Sequence, residues 1–370
     1  MGTTIVRYCK ATSLLLLVVL STALIINYPP DLQWLVSNKD TDDKVVYPKV
    51  RKSSLVERVN KIQMLNLPQD VIDRVKKFVF FVGHPRSGHS IVGSFMDAHP
   101  HMVIAHEFMF FKQLSIKSVS LSSKADLFSA LYSYSVDDSK SGWRNEESDW
   151  KNYTLNIESS WQGRYDRYIS VIGDKSGGVT SAAYTHSPEE FKAHYRQLEK
   201  AVGIPIKVIY CVRNPYDIVA TNTLYGMGRR TRNITQDQYV SSFKDKMSKL
   251  QGEEFMKARF DDERALERRV IQLGNESKAV VEITNLVGPS NVLEIHNMDL
   301  VGNPKSILIK ICTFLEVNCP PDYLQACSAK VFKSVYKSRE LVVWPQRLQS
   351  MVQNIIEAYS FFHRYSFTGD

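Results

Sequence analysis

The chain has 370 residues, 44% of them hydrophobic and 23% charged, enough apolar material for one large domain or two small ones, which excludes a disordered or fibrous chain. Its 47 Lys and Arg against 39 Asp and Glu give a formal net charge of +8, and that balance favours anionic ligands. Nucleic acid finds no long basic run to hold it, whereas a nucleotide, a sulfated or acidic polysaccharide or a merely solvated basic surface suits the charge equally well.

Arg7 and Lys10 precede an uncharged stretch, residues 11–27, built mostly of Leu, Val, Ile and Ala. It reads as a transmembrane signal-anchor, since about 17 to 25 apolar residues cross a bilayer. The positive flank keeps residues 1–10 cytoplasmic, a single-pass type II topology with the remainder lumenal. A cleaved secretory signal is the competing reading, but the apolar run exceeds the usual core of such signals. Residues 28–75, with "YPPDLQ" and mixed charges, read as a stem. Three sequons, at Asn152, Asn233 and Asn275, are in keeping with lumenal exposure and glycosylation. Cys312, Cys319 and Cys327 crowd one stretch, so one local disulfide among the three is expected, its pairing open. No CxxC pair suggests structural zinc.

From Phe78 short apolar runs alternate with helical stretches. "FVFFVG" predicts a strand, and a glycine loop and then the helix "HSIVGSFMDAHP", ending at Pro100, follow it. "YISVIGD", "IKVIYCVR" and "NVLEIH" predict three more strands, separated by "SPEEFKAHYRQLEKAV" and "PKSILIKICTFLEV". Such alternation predicts an α/β fold, a P-loop-like parallel sheet flanked by helices on both faces, as one globular domain over residues 76–370. The polar interval 115–161 reads as an insertion, either lining an acceptor site or running over the surface.

The loop "GHPRSGHS" spaces Gly83 and Gly88 as a triphosphate-binding loop does and ends on Ser90, but His89 stands in place of the lysine and the cation is Arg86. A glycine turn at a helix N-terminus is built for an anion. Without that lysine, and without a downstream apolar run ending in a magnesium-binding Asp, a nucleotide kinase is disfavoured. "FVGHPRSGHS" instead resembles the 5′-phosphosulfate loop of sulfotransferases that use 3′-phosphoadenosine 5′-phosphosulfate (PAPS). "VIYCVRNPYDIVATN" resembles that family's 3′-phosphate motif, with Arg213 and, eight positions on, Thr221 in place of the usual Ser. "MDAHPHMVIAHEF" resembles the stretch after the loop in tyrosylprotein and related Golgi enzymes, and Glu107 follows Arg86 by twenty-one positions, as their general base does.

The resemblance implies an enzyme that moves the sulfuryl group from PAPS to an acceptor hydroxyl, with Golgi membrane localisation and no metal. Glu107 would be the base, and Arg86 with Lys175 of "IGDKSGG" would stabilise developing charge. Arg86, Ser87, Gly88, His89, Ser90, Arg213 and Thr221 would hold the donor. His89, where the family has Thr, is expected to make donor binding sensitive to pH near 6.5, roughly its ordinary pKa. A glycan or glycoprotein is the expected acceptor, with a protein tyrosine as alternative; no nucleic-acid partner is expected and the oligomeric state is open. The alternatives of another class are a non-enzymatic, membrane-anchored glycan-binding protein, and metal chemistry at the five histidines between His84 and His106. The C-terminal stretch around Lys337 and Arg339 resembles the family only loosely, so no role rests on it.

Overall fold

The computed structural model describes residues 62–115, 123–140, 155–228 and 236–369, all inside one compact unit, Val45–Asp370. The expected anchor, most of the stem and the sequons at Asn152 and Asn233 lie outside the described residues. Among the described residues no helix is long and apolar enough to cross a membrane.

In chain order the elements are α1 (Gln69–Asp73), β1 (Lys77–Gly83), α2 (His89–Asp97), β2 (Met102–His106), α3 (Phe110–Ser115), α4 (Lys124–Lys140), β3 (Val171–Lys175), α5 (Gly177–His186), α6 (Pro188–Val202), β4 (Ile206–Val212), α7 (Pro215–Gly228), α8 (Gln236–Ser248), α9 (Gly252–Ala258), α10 (Glu263–Val287), β5 (Val292–His296), α11 (Asn297–Gly302), α12 (Pro304–Leu315), α13 (Pro321–Ser328) and α14 (Gln346–Ala358). The five strands form one parallel sheet in the order β2-β3-β1-β4-β5. The α/β expectation holds, with one strand more than the sequence reading found.

The centre of the sheet follows from its residues. Every position of β1 is buried, as a strand covered on both faces requires, and alternation sends its side chains two ways. Phe78, Phe80 and Val82 join one core with α4, α6, α7, α10 and α14. Val79 and Phe81 join the other, with α2, α12 and α13. The helices carry the signals that specify them. Phe191, Tyr195, Leu198 and Val202 line one side of α6, which starts on Pro188 and stops at the left-handed Gly203, φ 59°. Asp262 caps α10 by accepting from the Ala265 N–H at 2.8 Å.

Four features depart from the sequence reading. β2, "MVIAH", is a fully buried strand in a stretch read only as a motif. Within the interval expected to be an insertion, α4 packs on β2 and buries Leu127, Phe128, Leu131 and Tyr134 in the core. The sequon at Asn275 falls inside α10 with Ser277 fully buried, so the folded chain cannot present it for glycosylation. Residues 62–75, at the end of the expected stem, bury Ile62, Leu67, Val71, Ile72 and Val75 in the domain core. The disulfide is Cys312–Cys319, Cα atoms 5.8 Å apart, and Cys327 is a buried thiol.

Strand order puts a topological switch point at β1, since the connection leaving it runs through α2 on one face while those leaving its neighbours β3 and β4 run through α5 and α7 on the other, and ligands of open α/β sheets bind beyond the strand C-termini at that point. The register aligns these ends: Gly83 pairs with Cys211, and His106 pairs with Lys175. Gly173 keeps β3 against β1, because a Cβ there would lie 2.0 Å from the Val79 carbonyl oxygen. Gly173→Ala should therefore lower unfolding free energy by about 3 kcal/mol, the upper end for overpacking a tight interior, measured by urea denaturation. An unchanged midpoint would show that the strands separate easily.

Candidate active site

The loop between β1 and α2 turns on left-handed residues: Gly83 at φ 125°, Gly88 at φ 94° and, unusually for a side-chain-bearing residue, Arg86 at φ 68°. His84 fastens the base of the loop. Its Nε2 lies 3.0 Å from the Ser277 hydroxyl on α10, and because that hydroxyl donates onward to the Leu273 carbonyl, Nε2 carries the proton. The Ser87 hydroxyl donates to the His84 carbonyl at 2.8 Å, so this side chain shapes the loop while Gly88 caps α2. The first-turn N–H groups and the positive end of the α2 dipole then face the same point.

Arg213 follows β4 directly and binds the loop from outside. Its Nη1 donates to the Arg86 carbonyl at 3.1 Å and to the Thr221 hydroxyl at 3.4 Å; its Nη2 donates to the Tyr336 carbonyl at 2.8 Å and the Ser338 hydroxyl at 3.3 Å. The Arg213 and Thr221 anticipated eight positions apart thus meet. The Arg86 guanidinium lies 3.4 Å over the Tyr225 ring, a cation–π contact, and the Asn222 amide donates to the Pro85 carbonyl at 3.4 Å. Thr221, Asn222 and Tyr225 form one face of α7 against the loop, and the four-residue step from Thr221 to Tyr225 was the available signal for it.

Deeper, at the ends of β2 and β3, Lys175 is completely buried. Its Nζ donates to Glu107 Oε1 at 3.1 Å, to His106 Nε2 at 3.2 Å and to the Ser90 hydroxyl at 3.3 Å. Burial pushes the ammonium below the usual lysine range, and the Glu107 carboxylate opposes that shift. Lys175 in turn holds the Glu107 carboxyl below its ordinary value against desolvation, although 41% of the side chain stays exposed and solvent screens part of the effect. His106 reaches Lys175 because the two are register partners, a relation that required β2 to be recognised as a strand.

The turn that aims Glu107 is held open. Glu107 and Met109 are left-handed, at φ 55° and 59°, and Asp174 pins them by accepting from the Phe108 and Phe110 N–H groups at 3.1 and 3.0 Å. The Ser176 hydroxyl donates to Asp174 at 2.8 Å and accepts from the Met109 N–H at 3.0 Å. Burial still raises Asp174 to about 6. Gly93 on α2 leaves room for the lysine, since a Cβ there would lie 2.5 Å from Lys175 Cγ. Asp174, His106, Gly93, Asn222 and Tyr225 were not anticipated.

The five histidines diverge. His84 faces α10, His89 sits 3.4 Å from the Ser87 hydroxyl, His99 meets the Asn318 carbonyl at 2.7 Å, His101 stacks on Tyr168 and His106 contacts Lys175. Among the described residues no His, Cys, Asp and Glu group is arranged to hold a metal. Arg339, left without a role, is 2% exposed and bound to the buried Asp217 carboxylate at 2.7 Å, which clamps the C-terminal segment onto α7.

The profile described as "Sulfotransferase family" matches residues 79–321, and the chain belongs to that family. It is therefore a sulfotransferase, an enzyme of the transferase class. Among solved structures it is similar to the sulfotransferase domain from the curacin biosynthetic pathway (17% identity over 77% of this chain and 99% of that one, TM-score 0.39). It is also similar to sulfotransferase STF9 from Mycobacterium avium (11%, 82% and 81%, 0.41) and to mouse sulfotransferase SULT7A1 complexed with PAP (10%, 83% and 89%, 0.36). Superpositions this loose add no weight, and the assignment stands on the family match. No curated protein sequence matches the chain.

The ligand-free site gives no support to a pH switch at His89 near 6.5. Burial, reinforced by Lys175, pushes His89 down to about 3, so it stays neutral at physiological pH. A depressed histidine costs stability as pH falls from its unfolded value, about 6.5, toward its folded one, because only the unfolded chain takes the proton. The loss of stability between pH 6 and 4 in His89→Asn should be shallower than in the parent by about one proton, about 1.4 kcal/mol per pH unit. Parallel profiles from urea denaturation would remove His89 from the acid response.

Proposed function

We propose that the protein transfers the sulfuryl group of PAPS to a carbohydrate hydroxyl. The observation that carries the reading is the pairing of Glu107 with Lys175 beside a loop whose outer side is bound by Arg213, which Thr221 holds in turn: one acid–base pair and one candidate phosphate grip at the same end of the sheet. The residues suit a donor with two separate anionic groups. The α2 N-terminus, Ser90 and Arg86 suit the 5′-phosphosulfate, and Arg213 with Thr221 suits the ribose phosphate.

In the step itself the acceptor oxygen forms a bond to sulfur as the bond from sulfur to the phosphate oxygen breaks. The acceptor proton passes to Glu107, and the electron pair of the broken bond leaves with the phosphate. Lys175 is hydrogen-bonded to the base. Once its ammonium turns toward the transferring group, Glu107 loses the charge that depresses its pKa and becomes a stronger base. The net charge of +8 and the apolar segment 11–27 support an acidic glycan acceptor met at the Golgi membrane. The twenty-one-residue spacing from Arg86 to Glu107 favours a protein tyrosine as the second reading.

Calorimetry against 3′-phosphoadenosine 5′-phosphate and acceptor-dependent turnover of PAPS test this. Arg213→Ala should weaken the bisphosphate ten- to a hundredfold, about the value of one charged hydrogen-bonded contact. Glu107→Gln should lower kcat about 10²- to 10⁴-fold with bisphosphate affinity kept, as loss of a general base does. An unchanged kcat in Glu107→Gln would take that residue out of the chemistry, and tight binding of ATP with magnesium in place of the bisphosphate would return the kinase reading. A panel of glycans and tyrosine peptides separates the two acceptors.

A further inference from the structure

We propose that the turn of residues 364–369 positions Arg213 for the donor's ribose phosphate, with Tyr365 and Ser366 as its working contacts; the proposal rests on the donor reading above. Arg213 is bracketed by this turn. On one side the Tyr365 hydroxyl donates to the Val212 carbonyl at 3.3 Å. On the other the Asn214 amide donates to the Ser366 and Gly369 carbonyls at 2.9 and 3.1 Å. Both chain neighbours of Arg213 are thereby held from one distant stretch of chain.

Each contact falls where regular structure runs out. β4 pairs with β1 as far as Cys211 and with β5 as far as Val212, so the sheet ends where Arg213 begins. Tyr365 spans that end, because its hydroxyl also lies 3.0 Å from Nδ1 of His296, the register partner of Val212 on β5. Asn214 does the same for the helix that follows. Its Oδ1 accepts from the Tyr216 N–H at 3.0 Å, which caps α7, while its Nδ2 donates to the turn. Asn214 is 1% exposed and Tyr365 5%, a setting in which water does not readily replace a lost hydrogen bond.

The turn is closed on itself and tied down. The Ser366 N–H donates to the Gly369 carbonyl at 3.1 Å, and the Gly369 N–H donates to the Ser366 hydroxyl at 2.8 Å. Arg364 joins it to α11 through two hydrogen bonds of 2.7 Å to Asp299, and the Phe367 ring meets Tyr216 edge-on with centroids 5.1 Å apart. Tyr336 and Ser338 thus hold the tip of Arg213 while the turn holds its base. A guanidinium fixed at both ends loses less freedom when it takes a phosphate. The turn lies outside residues 79–321, the part matched by the family profile.

The test is calorimetry of the full-length chain with 3′-phosphoadenosine 5′-phosphate and adenosine 5′-monophosphate as probes. Tyr365→Phe, Asn214→Ser and Arg213→Ala are measured singly, and the first two also in combination with Arg213→Ala. Asn214→Ser keeps a cap for α7 and gives up the reach to the turn; Tyr365→Phe removes one oxygen and decides alone where Asn214→Ser does not fold. Each should weaken the bisphosphate about tenfold, the size of one lost buried hydrogen bond, and leave the monophosphate within twofold. Once Arg213 is alanine each should cost no more than about a further twofold, because residues that act through one side chain are not additive. A turn that served only to close the core would not depend on Arg213 in this way. Unchanged bisphosphate binding in Tyr365→Phe, an equal loss for both probes, or a tenfold loss that persists without Arg213 overturns the proposal, and a selective loss in Arg213→Ala then leaves the donor reading standing. An Arg213→Ala that weakens both probes alike, or neither, overturns the donor reading and this proposal together.

Discussion

The site is organised around a single costly placement, the ammonium of Lys175 at a position with no exposed surface. An unpaired charge there is untenable, so each neighbour is constrained by it. Glu107 supplies the counter-charge, Ser90 and His106 supply further polar partners, and Gly93 gives the room that any side chain would take. The demand propagates outward. To reach Lys175, the carboxylate of Glu107 leaves β2 through a turn with two left-handed residues, and that turn survives because Asp174 and Ser176 hold three of its N–H groups. The strained backbone is thus an outcome of where the lysine lies, and β3 supplies both the charge and the anchor for its partner.

A second buried pair does similar work for the outer half of the cleft. Arg339 and Asp217 are both withdrawn from solvent, and a buried pair of this kind tells against alternative arrangements more than it adds to stability. What it specifies is the path of the chain from Tyr336 to Ser338, whose carbonyl and hydroxyl accept from Arg213. Elements more than a hundred residues apart therefore meet at one guanidinium, and Arg213 is oriented before any ligand is considered.

The legible parts of this arrangement were those whose chemistry sits on consecutive residues. β1 and β4 announced themselves by unbroken apolar runs, and the loop after β1 by its two glycines and Arg86. Arg213 and Thr221 were visible because a strand end and the following helix keep a fixed offset. β2 was not read as a strand because four apolar residues between Pro100 and Glu107 lack the length to outweigh the preceding helix. With β2 missed, so was the register that pairs His106 with Lys175. The polar composition of 115–161 hid α4, since Ser133 and Ser135 spend their hydroxyls on buried partners, the Ser129 carbonyl and the Asp97 carboxylate. His89 was misjudged for a related reason: its ordinary pKa follows from its chemistry, but its neutrality follows from burial, which no local pattern displays.

The two halves of the cleft differ in charge balance, and the difference has a chemical sense. Around Lys175 the charges are matched, one ammonium against one carboxylate at 3.1 Å. Around Arg213 they are not, because the guanidiniums of Arg213 and Arg86 are held by carbonyls, hydroxyls and a ring face rather than by a carboxylate. An anion gains most where charge is unmatched, so binding energy collects at the arginine end. At the lysine end an incoming anion must first compete with Glu107, so that part of the attraction becomes available only as the pair separates and charge moves. Interactions that strengthen along the reaction raise kcat, whereas those already present in the bound state do not. A fold that concentrates grip on one side and keeps a matched, divisible pair on the other separates holding a substrate from transforming it.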